Sequence, residues 1–105
     1  MNRIDCVPVA ENMASQAKHI IVHGMVQGVG FRYFVQRVGT RLGLTGNVCN
    51  CDDGTVEITA EGNPKRLLDF IQEVRKGPSM ARVLRVDVND IPAEGNYSTF
   101  QIEGW

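Results

Sequence analysis

The hydrophobic period of the chain changes abruptly at one short loop, Gln27–Gly30, and this change constrains the fold most. Before the loop, residues 18–26 are mostly apolar and are typical of a β-strand. After it, apolar side chains recur at the spacing of one helix face: Phe31, Phe34, Val35, Val38 and Leu42. The sequence therefore predicts a strand that passes directly into a core-packed helix, which ends with Gly43 in the C′ position.

The next segment predicts a hairpin and a second helix. Residues 45–51 and 55–61 are strand patterns separated by the turn signal Asp52-Asp53-Gly54. Asn63-Pro64 is an N-cap followed by proline at the first helical position, and Gly77-Pro78 is a stop signal. The apolar stripe of the helix between them is formed by Leu67, Phe70, Ile71 and Val74.

Two further strand patterns complete the chain. One covers residues 81–88, and its inward side chains are expected to be Leu84, Val86 and Val88. A short edge strand is predicted over residues 99–103, with Phe100 and Ile102 facing inward. The order β-α-β-β-α-β, plus this small strand, predicts an α+β class and a ferredoxin-like α/β sandwich. Both helices are expected on one face of an antiparallel sheet, because right-handed crossovers place them there.

Length and composition are those of an ordinary globular chain. The 105 residues are 43% hydrophobic and 22% charged, with a net charge of −1, which disfavours a broad nucleic-acid or anionic-lipid surface. No apolar run reaches ~18 residues, so no membrane span is expected. Residues 1–17 show neither period nor a signal-peptide pattern. We expect a flexible tail there, a domain over residues 18–105, and a cytoplasmic location.

The three cysteines, Cys6, Cys49 and Cys51, are expected to be reduced, although a disulfide of Cys6 stays open. Cys49 and Cys51 lie two residues apart and share one face of a strand. Too few other ligands accompany them for a tetrahedral zinc site, so no metal is expected. His19 and His23 fall on the first strand and are predicted to be surface residues of the sheet.

The junction between the first strand and the helix has the properties of an anion site. Gly28 and Gly30 let backbone N–H groups turn inward, and a helix N-terminus carries about half a positive charge. Arg32 adds a full charge in the first turn, where a lone cation is disfavoured by ~0.3–1 kcal/mol and a bound anion would reverse the penalty. A tight turn beside a solvated arginine explains these local features equally well.

Nucleotide-binding and RNA-binding motifs do not fit this junction. Tyr33 stands where the dinucleotide fingerprint requires its third glycine, and no Walker sequence is present. Gly28–Val35 superficially resembles the RNP1 motif, which must lie on a strand with its aromatic residues on the open face of the sheet. Phe31 and Phe34 instead belong to the apolar side of the predicted helix.

Two ordered motifs resemble those of the acylphosphatases. The first is Gly24-x-Val26-Gln27-Gly28-Val29-Gly30-Phe31-Arg32. The second is Leu42-Gly43-Leu44-x-Gly46-x-Val48-x-Asn50, followed by Asp53-Gly54-x-Val56-Glu57. The resemblance spans about residues 18–103. It implies a ferredoxin-like enzyme that hydrolyses the carboxyl–phosphate bond of acyl phosphates without a metal or another cofactor.

The resemblance also implies which residues form the site. Arg32 would bind the phosphoryl group, and Asn50 would position the attacking water. The phosphate-binding loop would consist of Gln27, Gly28, Val29, Gly30 and Phe31. Asn47 departs from the family, which often has an aromatic residue there, and we expect it to lower stability or alter the mouth of the site. The expected partners are a small-molecule acyl phosphate and inorganic phosphate, with a monomeric chain and no nucleic acid or membrane.

Acyl phosphate chemistry suits a site with so few functional groups. The leaving carboxylate has a conjugate acid of pKa near ~4, so it departs without a general acid. Phosphoryl transfer mainly demands positioning and charge stabilisation, which Arg32 and the loop amides could supply. Locally, Asn50 is equally explained as a residue of the adjoining turn. The alternative function is a non-catalytic ferredoxin-like module that binds an anionic metabolite.

Overall fold

Two helices pack on one five-stranded sheet in the part of the chain that the computed structural model describes, residues 15–104. The elements are β1 Gln16–Met25, α1 Phe31–Arg41, β2 Thr45–Asn50, β3 Val56–Gly62, α2 Pro64–Lys76, β4 Arg82–Ile91 and β5 Phe100–Glu103. This order confirms the predicted fold class. Of the predicted tail, residues 1–14 lie outside the described part, as does Cys6.

The sheet order is β4-β1-β3-β2-β5, so the strands before and after α1 lie on either side of β3. Both β1 and β2 are antiparallel to β3. They therefore end at the same edge of the sheet, about two strand spacings or roughly 10 Å apart. The loop that leads into α1 starts at this edge, and the predicted site residues Arg32 and Asn50 meet there.

The sheet is mixed, which corrects the prediction of a wholly antiparallel one. The predicted edge strand exists, but β5 runs parallel to β2, with Phe100 opposite Gly46. The route of the chain explains the direction. Strand β4 finishes at the end of the sheet where β1 begins, with Ile91 opposite Ala17. Residues 92–99 connect along that end, so β5 starts there and runs in the direction of β2.

Both helices cover the same face of the sheet, as predicted, and share one core. Helix α1 lies over β2 and β5, and α2 lies over β3 and β4. The predicted alternation in β3 buries Val56, Ile58 and Ala60 completely. The buried side chains of α2 are those of its predicted stripe: Leu67, Phe70, Ile71 and Val74. Each such burial contributes about 1.5–3 kcal/mol, which fixes the helices to the sheet.

The predicted helix boundaries follow from local signals that the structure confirms. Asn63 caps α2, because its Oδ1 accepts from the backbone N–H groups of Lys65 and Arg66 at 2.9 and 3.4 Å. Gly43 occupies the predicted C′ position after α1. Its N–H donates to the Thr40 carbonyl and the N–H of Leu44 donates to the Gly39 carbonyl, which together form a Schellman motif. No helix within residues 15–104 is long and apolar enough to cross a membrane.

The predicted inward position of Leu84 is wrong, since its side chain is 71% exposed. The pairing of β1 with β4 moves from His23–Arg85 directly to Gly24–Val83, so Leu84 is the extra residue of a β-bulge. The bulge shifts the alternation by one residue, and Val83 packs on the core instead. Gly24 is required here because a Cβ would lie 2.1 Å from a backbone carbonyl oxygen of β4.

Candidate active site

A small cleft of about 90 Å³ lies at the edge of the sheet where β1 and β2 end. Its walls are formed by Val26, Gly28, Gly30, Phe31, Arg32, Tyr33 and Asn50. The fold therefore brings the two predicted chemical side chains, Arg32 and Asn50, into one cleft. Three of the predicted loop residues also line it, whereas Gln27 and Val29 do not.

Two glycines with positive φ line this cleft at the beginning of α1. Gly30 is the N-cap, with φ 76° and ψ 17°, and no side chain caps the helix. Gly28 also has a positive φ, 74°, and a Cβ at either glycine would meet nothing within 4 Å. The backbone conformation, and not the available space, therefore favours glycine at both positions.

The N–H groups of residues 28–33 donate to no backbone carbonyl within residues 15–104. The first turn of α1 also contains no acidic side chain. The positive end of the helix dipole and several unused donors are thus available to an anion.

Arg32 is half-buried in the first turn of α1, beside the end of β5. Its Nη1 donates to the backbone carbonyl of Glu103 over 3.3 Å, which is a long hydrogen bond. Its guanidinium makes no other hydrogen bond or ion pair with residues 15–104. Most of its donors therefore remain free, while one contact to the end of β5 limits where the guanidinium can lie.

Asn50 ends β2 and carries an unpaired buried oxygen. Its Oδ1 is inaccessible to solvent and has no hydrogen-bond partner within the described residues. A buried polar atom left unpaired costs about 1–3 kcal/mol, so such atoms are rare without a functional reason. The turn beside Asn50 does not use this side chain, because its side-chain hydrogen bonds come from Asp53 within the turn and from Gln27 in the preceding loop.

The predicted turn between β2 and β3 is held by several short-range bonds. Cys51 and Thr55 close it, with the Cys51 N–H donating to the Thr55 carbonyl at 2.9 Å. Asp53 Oδ1 accepts from the Thr55 hydroxyl at 2.6 Å and from the Thr55 N–H at 3.0 Å. These hydrogen bonds, the hydroxyl's above all, lower the pKa of Asp53, because they favour its charged form. The turn that follows Asn50 is therefore well ordered.

The side chain of Gln27 points to this turn. Its Nε2 donates to the carbonyl of Cys51 at 2.8 Å and to the carbonyl of Thr55 at 2.9 Å. Val29 packs partly against the core, and Phe31 is 1% exposed, with its ring 5.9 Å from that of Phe34. The loop residues beside the cleft thus present backbone groups, while their side chains hold the loop in place.

The predicted free thiols Cys49 and Cys51 are unpaired. Burial and, after it, the negative charge of Glu57 raise the pKa of Cys49, so this thiol is a poor nucleophile.

His19 Nε2 lies 2.6 Å from Glu57 Oε2 on the face of the sheet away from the helices. Within residues 15–104, no group of three His, Cys, Asp or Glu side chains is placed to hold a metal ion.

The second predicted surface histidine, His23, contacts Asp87 Oδ2 through Nε2 at 2.9 Å. This hydrogen bond and a second one from Arg85 lower the pKa of Asp87. Asn47 stands opposite Thr59 and Gln101 and does not line the cleft. None of these side chains on the polar face of the sheet lines the cleft that contains Arg32 and Asn50.

A larger cleft of about 620 Å³ lies on the helical layer. It is lined by Phe34, Gln36, Arg37, Val38, Thr40, Arg41 and Glu73. One of its cations is already paired, since Arg41 Nη2 lies 3.5 Å from Glu73 Oε2. This cleft contains neither the glycine loop nor an unpaired buried oxygen. Choosing the candidate site by cleft volume alone would therefore select the wrong cleft.

Two features of the small cleft were absent from the sequence prediction. Tyr33 lines it and is 64% exposed, and its position beside Arg32 on the outer side of the helix was a usable signal. The contact of Arg32 with Glu103 had no such signal, because it uses a backbone carbonyl that any residue type would provide.

Fold and cleft together define a ferredoxin-like sandwich whose split βαβ unit presents a small cleft lined by an arginine and by the uncapped beginning of a helix. Comparison with known proteins narrows this class. The acylphosphatase family model matches residues 18–102. An acylphosphatase of Thermotoga petrophila is 50% identical over 88 residues, covering 84% of this chain and 97% of that protein.

Two solved structures agree. The acylphosphatase of Bacillus subtilis is 40% identical with a TM-score of 0.82, covering 85% of this chain and 99% of that one. The acylphosphatase of Coxiella burnetii is 32% identical with a TM-score of 0.84, covering 90% and 100%. The chain belongs to the acylphosphatase family. The predicted fold and the predicted enzyme class, an acylphosphatase, are confirmed.

Proposed function

We propose that the cleft holds the phosphoryl group of an acyl phosphate while Asn50 orients the water that displaces the carboxylate. One observation carries this assignment: Asn50, whose Oδ1 is buried and unpaired within residues 15–104, lines the same cleft as Arg32. The family gives the reaction, and this geometry supports the roles of the residues.

The phosphoryl group would be held by the backbone donors of residues 28–32 and by Arg32. The N–H groups and the helix dipole favour the non-bridging oxygens of the phosphate. The guanidinium adds paired, parallel hydrogen bonds that an ammonium cannot make. Within the described residues no carboxylate is paired with Arg32, so its charge is available to the substrate.

The attacking water would donate one O–H to Asn50 Oδ1, which is closed to solvent in this structure and would be uncovered by a small rotation of the side chain. A carbonyl oxygen of an amide accepts a hydrogen bond but is too weak a base to remove a proton. Asn50 therefore orients the water, leaving a lone pair directed at phosphorus. Such positioning is the main requirement of phosphoryl transfer.

In the displacement, a bond forms between the water oxygen and phosphorus as the bond between phosphorus and the acyl oxygen breaks. The electron pair leaves with the carboxylate, and the proton lost by water passes to the phosphate product or to solvent. The carboxylate needs no proton to leave, because its conjugate acid has a pKa of about 4. Charge on the equatorial oxygens is stabilised by Arg32.

Hydrolysis of benzoyl phosphate, followed by absorbance in the presence of EDTA, tests this function. We expect turnover by the natural chain and its loss in Arg32→Ala, with inorganic phosphate as a competitive inhibitor. Binding of phosphate without turnover would instead support the non-catalytic module. Loss of turnover on adding EDTA would contradict the metal-independent mechanism.

The monomeric state and the small-molecule substrate are part of the same proposal. The loop, α1 and β2 of a single chain contribute all the residues that line the cleft. Light scattering after gel filtration, with activity measured across the eluted peak, tests the monomer. A cytoplasmic location stays a prediction.

A further inference from the structure

We propose that Gln27 is a positioning residue, whose amide ties the turn after Asn50 to the phosphate-binding loop and so sets the distance from Asn50 to the bound phosphate. The inference rests on the proposed roles of Arg32 and Asn50. It gives the Gln27 side chain a task other than contact with the substrate.

The geometry fixes the orientation of the amide. Gln27 Nε2 donates to the carbonyls of Cys51 and Thr55 at 2.8 and 2.9 Å. Carbonyl oxygens only accept hydrogen bonds, so the nitrogen and not the oxygen of the amide must face them. Both N–H groups of the amide are thereby used on the two ends of one turn.

These two bonds directly join parts of the site that the sheet connects only through β3. Strands β1 and β2 are separated by β3, so no ladder hydrogen bond links them. Gln27 directly precedes Gly28, and Cys51 directly follows Asn50. Within residues 15–104, the hydrogen bonds from the loop at 26–31 to the segment at 50–55 are the two made by Gln27.

The turn keeps its own closure without Gln27. The Thr55 carbonyl also accepts from the Cys51 N–H at 2.9 Å, and the Cys51 carbonyl also accepts from the Gly54 N–H at 3.1 Å. Removing the amide thus leaves neither carbonyl unpaired. The variant should fold, while the turn and Asn50 become free to shift relative to the loop.

The expected effect is therefore on kcat. A misplacement of about 1 Å between reacting groups can lower a rate about 10²-fold. For Gln27→Met, which keeps the length but has no donor, we expect kcat to fall about 10- to 100-fold. KM for benzoyl phosphate should change less than about 3-fold, because Arg32 and the loop amides remain.

Gln27→Glu gives a readout that a structural role alone would not produce. A carboxylate would face two carbonyl oxygens and be repelled, whereas its protonated form can donate one hydrogen bond. The deficit in kcat relative to the natural chain should therefore shrink as pH falls from about 7 towards the glutamate range of about 4–5. Dividing kcat of Gln27→Glu by kcat of the natural chain at each pH removes the pH effects common to both, including any from the neighbouring carboxylates Asp52 and Asp53.

Gln36→Met is the matched control for Gln27→Met; methionine is used because a glutamate at 36 would lie one helical turn from Arg32 and pair with it. Gln36 Nε2 also donates to a backbone carbonyl, that of Phe100 at 3.1 Å, but it lines the larger cleft. We expect its kcat to stay near that of the natural chain.

Natural kcat in both Gln27 variants would overturn the inference, and so would equal losses in kcat and phosphate affinity with no recovery in acid. Arg32→Ala and Asn50→Ala, assayed in parallel, separate this failure from that of the proposed function. If they keep full turnover, the proposed site is wrong; if they lose it while the Gln27 variants do not, only this inference fails. Circular dichroism verifies that each variant is folded.

Discussion

Arg32 and Asn50 line one cleft because β1 and β2 end at the same edge of the sheet, on either side of β3. Arg32 comes from the helix that follows β1, and Asn50 is the last residue of β2. The split βαβ connection thus places a cation and an unpaired amide oxygen at one cleft, beyond the ends of the two strands. In the proposed mechanism, this arrangement separates the task of holding phosphate from that of orienting water.

Arg32→Lys should lose most of the activity although it keeps the charge. Lysine cannot make the paired hydrogen bonds of a guanidinium, so kcat/KM for benzoyl phosphate should fall on the order of 10²–10³-fold. Arg37→Lys, an exposed position in the same helix, is the control and should remain near normal. Near-normal turnover of Arg32→Lys would contradict the proposal that the guanidinium holds the phosphoryl group by paired hydrogen bonds.

Gly39→Ala should test the contact between α1 and β5. Alanine would gain about 1 kcal/mol of helix propensity, but its Cβ would lie 2.4 Å from the ring of Phe100. Overpacking of this kind costs about 1–3 kcal/mol, so urea unfolding should show a net loss of stability of up to about 2 kcal/mol. In a Phe100→Leu background the same change should become neutral or stabilising. If the stability changes of Gly39→Ala and Phe100→Leu simply add in the double variant, the Phe100 ring is not what disfavours alanine at position 39.

Much of the fold could be predicted because its signals are local. The Asn63-Pro64 cap and the Asp52–Gly54 turn each depend on a few adjacent residues, and both are found in the structure. The position of Leu84 could not be predicted, because a bulge exists only in the pairing of two strands. The direction of β5 likewise depends on the route of the chain around the sheet.

That Arg32 and Asn50 lie together could be predicted from the sequence, but the hydrogen bonds around them could not. Arg32 and Asn50 carried a recognisable pattern, whereas the partners of Gln27 and Arg32 are backbone carbonyls, which leave no trace in residue types. The burial of Asn50 Oδ1 also depends on how the loop and helix close over the end of β2.

Acid should weaken the turn beside the site. Hydrogen bonds from the Thr55 hydroxyl and N–H lower the pKa of Asp53 in the folded chain. The resulting stability is therefore present above the unfolded pKa of about 3.9 and is lost as pH falls through the lower folded pKa. Asp53→Asn keeps the accepting oxygen but does not titrate. The urea midpoint of the natural chain should thus drop more than that of Asp53→Asn between about pH 5 and pH 2.

Asp69→Asn, an exposed change in α2, is the control for this comparison. It should leave the acid dependence of the natural chain in place. Equal acid dependence of the natural chain and Asp53→Asn would show that the Thr55 bonds do not stabilise the fold.

Cys49 should be slow to react with iodoacetamide. Burial, together with the nearby charge of Glu57, raises the pKa of this thiol, so little thiolate is present near neutral pH. Peptide mapping after timed alkylation should give a rate below that of free cysteine. Glu57→Gln should increase the rate, since it removes a negative charge while keeping the side chain's size. An unchanged rate in that variant would show that the charge of Glu57 does not slow the reaction.

The most direct measurement is the effect of Asn50→Ala on two quantities: kcat for benzoyl phosphate and the inhibition constant of inorganic phosphate. Asn47→Ala, on the same strand but outside the cleft, is the control. If Asn50 orients the attacking water, kcat should fall on the order of 10²–10³-fold while the inhibition constant stays within about 3-fold. A large loss of phosphate affinity with kcat nearly unchanged would contradict the account, because Asn50 would then bind the phosphate and not the water.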